Sequence, residues 1–86
     1  MKLDLNETLN QLLRNYKRTD ERLDFLLAFP NYKDARRIDA EIEVRDLERK
    51  FNTLIDRVKE EYGDEVQSLL LYAAEYIFTL EADNNV

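Results

Sequence analysis

Apolar residues recur at intervals of three and four along the first 28 positions, as in a helix with one buried face. They are Leu5, Leu9, Leu12, Leu13, Tyr16, Leu23, Leu26 and Leu27. Asp4 and Asn6 are both suitable N-caps, and Phe29 precedes Pro30, which disfavours helical geometry at Phe29. The pattern therefore predicts a first helix over residues 5–28.

This apolar stripe is interrupted at Thr19 and Asp20, and the interruption has two interpretations. One helix can run through it with a polar layer in its buried seam. Alternatively, a short helix ends near Lys17 and Thr19 caps a new one, which gives four helices in all. We favour the continuous or merely kinked helix, because no Gly or Pro forces the chain to stop there.

The second helix is predicted over residues 32–62, between a cap at Asn31 and a stop at Gly63. Its length would be about 46 Å at 1.5 Å per residue. Its apolar positions change sides midway, with Ala35, Ile38 and Ile42 about 180° from Val44, Leu47, Phe51, Leu54, Ile55, Val58 and Tyr62. One neighbour cannot cover both sides, so this long central helix should bridge two packing partners.

The third helix is predicted over residues 65–81, with Asp64 as its cap and Gln67 in capping-box spacing. Two apolar stripes follow it. The one assigned to the core comprises Val66, Leu69, Leu70, Ala73, Ile77 and Leu80; the second comprises Leu71, Ala74 and Phe78. Residues 82–86 are predicted to be a frayed tail.

The predicted fold is therefore all-α: a single domain over residues 1–86, built as a bundle or hairpin around the long central helix. Two helices expose more apolar surface than a small monomer covers easily, which favours a homo-oligomer, a dimer or higher. The residues assigned to self-association are Val44, Leu47, Phe51, Leu71, Ala74 and Phe78. The alternative is a compact monomer in which each shorter helix covers half of the long one.

Composition removes most catalytic chemistry. The chain has no Cys and no His, and its only serine, Ser68, lacks a histidine to activate it. Pairs such as Asp46 with Lys50 have the spacing of helix surface ion pairs rather than of metal ligands. We expect no enzyme, no metal and no cofactor. No apolar run is long enough to span a membrane and no signal sequence opens the chain, which predicts a cytoplasmic protein.

Charge is unevenly distributed along the chain. Residues 1–59 hold all 13 Lys and Arg and 12 of the 19 acids, a balance of +1; residues 60–86 hold seven acids and no base. Such an acidic third could imitate the phosphates of a nucleic acid. The simpler interpretation is that these carboxylates cap and solubilise one helix junction.

A cluster of basic and aromatic residues around the Pro30 turn is a candidate site for a phosphorylated small molecule such as a nucleotide. Arginine forks bind phosphate and tyrosine rings stack on bases. The residues are Tyr16, Arg18, Arg22, Tyr32, Arg36 and Arg37. In the alternative, these cations pair with carboxylates close in sequence, namely Asp20, Glu21, Asp24, Asp34 and Asp39. The interspersed acids also argue against duplex DNA as a partner.

Taken together, these features predict a non-enzymatic helical interaction or regulatory protein that oligomerises and occupies another protein. Size, acidity and the lack of Cys and His are typical of small accessory or inhibitor proteins of phages and plasmids. The alternatives are the nucleotide-binding module and, third, the acidic nucleic-acid mimic.

Overall fold

Three helices packed against one another make up the structure, a computed structural model that describes residues 2–31 and 33–84. They are α1 (Leu5–Ala28), α2 (Ala35–Tyr62) and α3 (Asp64–Asn84). The all-α class with three helices is thereby confirmed. α1 and α2 run antiparallel about the Pro30 turn, and α3 returns along both.

α1 is continuous through Thr19 and Asp20, so the four-helix alternative does not apply. Asp4 caps it: its carboxylate accepts hydrogen bonds from the backbone N–H groups of Asn6 and Glu7, at 2.9 and 3.1 Å. The polar layer in its seam is formed by Asn15, whose Nδ2 donates to the Leu47 carbonyl at 2.9 Å and whose Oδ1 lies 3.3 Å from the Thr19 hydroxyl. Asp20 is exposed and takes no part in this layer.

α2 begins at Ala35 rather than at residue 32. Asp34 is its N-cap and accepts from the Arg36 N–H at 2.9 Å. Asn31, the predicted cap, accepts instead from the Lys33 N–H at 3.0 Å within the turn. α2 ends as predicted at Gly63, whose φ of 95° is a conformation that other residues rarely adopt.

α3 starts directly after Gly63 and continues to Asn84, three residues beyond the predicted end; residues 85 and 86 lie outside the described residues. The predicted capping box is not formed. The Gln67 side chain instead donates to the Ile55 carbonyl of α2 at 3.0 Å, and Asp64 pairs with Lys59 at 3.3 Å. A link of one residue places α3 so close to α2 that Gln67 can reach across.

The core is small and lies where all three helices meet. Leu12 and Val58 are its largest fully buried side chains, and Ala74 brings α3 close to the other two helices. The Tyr16 ring lies between Phe51 and Phe78, at centroid distances of 5.2 and 5.7 Å. Burial, and secondarily the charge of a nearby glutamate, raises the pKa of the Tyr16 hydroxyl.

Candidate interaction surfaces

α3 has one buried face and one apolar exposed face, and the structure corrects which residues lie on each. Ala74 is fully buried, and Tyr72 and Tyr76, two residues away on either side, lie about 200° around the helix from it. Leu69 and Leu80, assigned to the core from the sequence, accompany the two tyrosines on the outside. The reason is that the packed face is centred between the two predicted stripes, so the outer edge of the first stripe, Leu69 and Leu80, is left exposed.

We call the exposed set Leu69, Tyr72, Tyr76 and Leu80 the α3 outer stripe. These four side chains are between 45% and 69% exposed, and the two tyrosine rings lie nearly parallel with centroids 6.4 Å apart. Glu65 and Asp83 continue the same face beyond the two ends of the stripe. The outer stripe is thus an apolar band with a carboxylate at each end.

The residues predicted to mediate self-association lie largely inside the monomer. Ala74 is fully buried, and Phe51 and Phe78 pack on Tyr16. Val44, Leu47 and Leu71 are half-buried. These six side chains therefore contribute to the packing of the three helices, whereas the α3 outer stripe is exposed.

The end of the α1–α2 hairpin exposes a second group of apolar side chains. Leu23, Leu27, Ile38 and Ile42 are between 44% and 83% exposed. A shallow cavity of about 500 Å³ lies beside them, lined by Leu23, Leu26, Leu27, Pro30 and Arg37. The switch of apolar sides in α2 accounts for the exposure of Ile38 and Ile42, because Ile38 lies about 180° around the helix from Leu47, which faces α1.

The structure does not gather the predicted phosphate-binding cluster into one site. Tyr16 is in the core, and Tyr32 lies outside the described residues. The four arginines contact acidic groups: Arg18 lies 2.5 Å from Glu43 and Arg22 4.0 Å from the same carboxylate. Arg36 pairs with Asp34 at 2.7 Å, and this hydrogen bond lowers the pKa of Asp34.

Arg37 is committed to the backbone of the turn. Its Nη1 donates to the carbonyls of Leu26 and Phe29 at 2.7 and 2.9 Å, and its Nε lies 3.2 Å from Glu41. Of the acids expected to neutralise the cluster, Glu21 and Asp34 do so. The remaining contacts come from two acids of α2 that were not among those expected. Glu41 contacts Arg37, and Glu43 contacts Arg18 and Arg22 of α1.

A basic groove, which the sequence alone did not indicate, runs between α1 and α2 on the side away from α3. Its volume is about 660 Å³. Five cations line it: Arg14, Arg18, Arg49, Lys50 and Arg57. The remaining lining residues are Gln11, Leu12, Asn15, Leu47, Phe51, Thr53 and Leu54, so no carboxylate is among them.

Four of the five cations of the basic groove pair with carboxylates that are not part of its lining, and Arg18 does so with Glu21 and Glu43. Asp46 holds Arg49 and Lys50, the latter at 2.9 Å, and these hydrogen bonds lower the pKa of Asp46. Arg57 lies 3.5 Å from Glu61. No carboxylate of the described residues lies within 4.0 Å of Arg14. The four-residue spacing of Arg14 and Arg18 places both on one face of α1, and this can be read from the sequence. Only the packing of α1 against α2 brings them close to the cations of α2.

Residues 2–31 and 33–84 contain no group of three or more acidic, His or Cys side chains placed to hold a metal ion. Within the same residues, no helix combines the length and apolarity needed to cross a membrane.

Comparisons of the chain with protein-family models, with curated proteins and with solved structures give no match. Two surfaces of the fold are open to a partner molecule: the α3 outer stripe and the basic groove.

Proposed function

We propose that this chain is a non-enzymatic helical interaction protein that self-associates and acts by occupying a partner protein. The α3 outer stripe is the observation that carries the proposal. Two leucines and two tyrosines are exposed side by side on one helix of an 86-residue chain. A contiguous apolar patch on a small domain is typical of a surface that another protein covers. Tyrosine is also enriched at such interfaces, since its ring buries a large area and its hydroxyl retains a hydrogen-bond partner.

The two alternative functions have weaker support. A nucleotide at the predicted cluster would have to displace Glu43 and Asp34 from the arginines and could not stack on Tyr16. A nucleic-acid mimic needs an uninterrupted row of carboxylates. On the outward face of α3, Glu65 and Asp83 are instead separated by the apolar outer stripe.

Light scattering across a range of concentrations tests self-association. We expect a mass above the 10.3 kDa of one chain at micromolar concentration. Tyr76→Glu should weaken the assembly at least tenfold, because it places a charge in the centre of the apolar stripe. Asn10→Glu, which adds the same charge at an exposed position of α1, is the matched control and should have no effect. A wild-type mass of one chain at every concentration would contradict self-association.

Thermal melts with mono-, di- and cyclic nucleotides test the ligand alternative. A ligand at 100 times its Kd stabilises the folded state by about 2.7 kcal/mol, which is easily seen in a domain of this size. We expect no shift for the wild type. A shift that is lost in the Arg22→Ala, Arg36→Ala double variant would favour nucleotide binding over the proposed function.

A further inference from the structure

The α3 outer stripe and the basic groove lie on opposite sides of the molecule. The Tyr16 ring faces α3 through its contact with Phe78. Arg14, two residues earlier on α1, lies about 200° around the helix from Tyr16 and lines the basic groove. The outer stripe in turn points away from α1 and α2, because it lies opposite the buried Ala74.

The two surfaces are complementary in charge. The basic groove is lined by five cations and by no acid. α3 carries five acids and no base, namely Asp64, Glu65, Glu75, Glu81 and Asp83. Of these acids, Glu65 and Asp83 lie on the face of the outer stripe, so an α3 helix lying in the basic groove would bring opposite charges together at the two ends of the stripe.

The two surfaces also match in length and apolar content. The outer stripe extends from Leu69 to Leu80, about 16 Å along the helix axis, and the groove extends about 15 Å from Leu47 to Arg57. Leu47 and Leu54 provide apolar contact for the stripe. Because α1 and α2 are antiparallel, Arg57 lies near one end of the groove and Arg18 near the other. The groove therefore has a cation near each of its ends, and the stripe has a carboxylate beyond each of its ends.

A symmetric contact between two outer stripes lacks this complementarity. It would bring Glu65 and Asp83 of one stripe close to the same acids of another, on helices that carry no base. Like charges that face each other across an interface are unfavourable. The charge pattern thus favours a contact between two different surfaces over a contact of the stripe with itself.

From these observations we infer that the α3 outer stripe of one copy docks in the basic groove of a second copy, head to tail. This inference rests on the proposed self-association and specifies its geometry. Because the two surfaces lie on opposite sides of each molecule, two copies cannot satisfy both at once. The assembly therefore grows beyond a dimer, into a ring or an open chain of copies.

Mixing two assembly-deficient variants tests the geometry directly. The stripe variant carries Tyr72→Gln and Tyr76→Gln, which remove both rings without adding charge, and the groove variant carries Arg14→Glu and Arg57→Glu. Each alone should have the mass of one chain, with the folded state checked by circular dichroism. A 1:1 mixture should form a complex of about twice 10.3 kDa, because the intact stripe of one variant fits the intact groove of the other.

The control for the groove variant carries Lys17→Glu and Arg45→Glu, an equal change of charge at two exposed positions outside the groove. It should assemble like the wild type. If the groove variant alone also assembles while the stripe variant does not, the stripe contacts itself: self-association stands and the head-to-tail geometry is wrong. A monomeric wild type would instead contradict the proposed function as well.

Salt and small anions provide two further readouts. Raising the salt from about 0.05 to 0.5 M should weaken the wild-type assembly at least tenfold, because the opposite charges are screened. A symmetric apolar contact between acidic helices would be unchanged or strengthened, which would overturn the inference. A melting shift with millimolar pyrophosphate, present in the stripe variant and absent in the groove variant, would assign the groove to a small anion instead.

Discussion

The two ends of the bundle are held together by different interactions. At the three-helix end, where α1 begins and α2 leads into α3, Leu12 and Val58 are fully buried. At the turn end, around Pro30, Leu27 is 83% exposed and no large side chain is fully buried among the described residues. The difference follows from the lengths of the helices. The rings of Tyr16 in α1 and Phe78 in α3 are in contact, but α1 continues twelve residues past Tyr16, whereas α3 ends six residues past Phe78. The last turns of α1 therefore extend beyond the end of α3.

Polar contacts to the backbone replace apolar packing at the turn end. Arg37 donates to the carbonyl of Leu26 in the last turn of α1 and to that of Phe29 just past its end. Carbonyls at the end of a helix have no partner within it. Arg22 and Arg36 lie over the rings of Phe25 and Phe29, at 5.0 and 4.4 Å from their centroids. We therefore expect two levels of stability along one bundle, with the turn end opening more readily than the three-helix end.

The largest effect is expected from Leu12→Ala at the three-helix end. Removing a fully buried leucine and leaving a cavity should lower the free energy of unfolding by about 2–5 kcal/mol. The control is Leu27→Ala, the same truncation at the exposed turn end, where the loss should stay within about 0.5 kcal/mol. Denaturant unfolding at a concentration where the chain is monomeric measures both. Equal losses would show that the turn end is packed as well as the three-helix end.

Arg37→Met should have an intermediate effect, of about 1–3 kcal/mol, because it leaves the backbone carbonyls of Leu26 and Phe29 without this donor. Arg36→Met, which removes a 65% exposed arginine from the same turn, should cost less than about 1 kcal/mol. Amide hydrogen exchange should become faster in residues 23–28 for the Arg37 variant only. Uniformly faster exchange over all three helices would argue against a separate turn end.

The smallest effect concerns the acid sensitivity of the three-helix end. The Leu3 N–H donates to the Glu61 carboxylate at 2.9 Å, and this bond, with help from Arg57, lowers the pKa of Glu61 in the folded state. Because the pKa of Glu61 is lower in the folded than in the unfolded state, the ionised carboxylate stabilises the fold at pH values above the unfolded pKa of about 4.3. This contribution is lost as the pH falls through the folded-state pKa.

Unfolding of wild type and Glu61→Gln across pH 2–7 measures this contribution. The difference in stability between them should shrink as the medium is acidified below about pH 4. A difference that is constant over the whole range would show that the Glu61 charge does not support the contact with Leu3.

The sequence by itself determined the helices, because their signals are local. Asp4, Gly63 and the residue before Pro30 each act through their own backbone geometry or through a neighbour three residues away. The lack of Gly or Pro near Thr19 was likewise enough to predict that α1 continues. The start of α2 was misjudged only because Asn31 and Asp34 are both competent caps, and local preference does not choose between them.

Only the tertiary structure decided which face of each helix is covered. α3 carries apolar residues nearly all around, so its pattern could not distinguish Ala74, inside, from Leu69, outside. The basic groove depends on the register between α1 and α2, which places Arg14 and Arg18 opposite Arg49 and Arg57 from more than thirty positions away. Local signals specify where a helix starts and stops, whereas contacts between distant segments depend on packing that no single segment encodes.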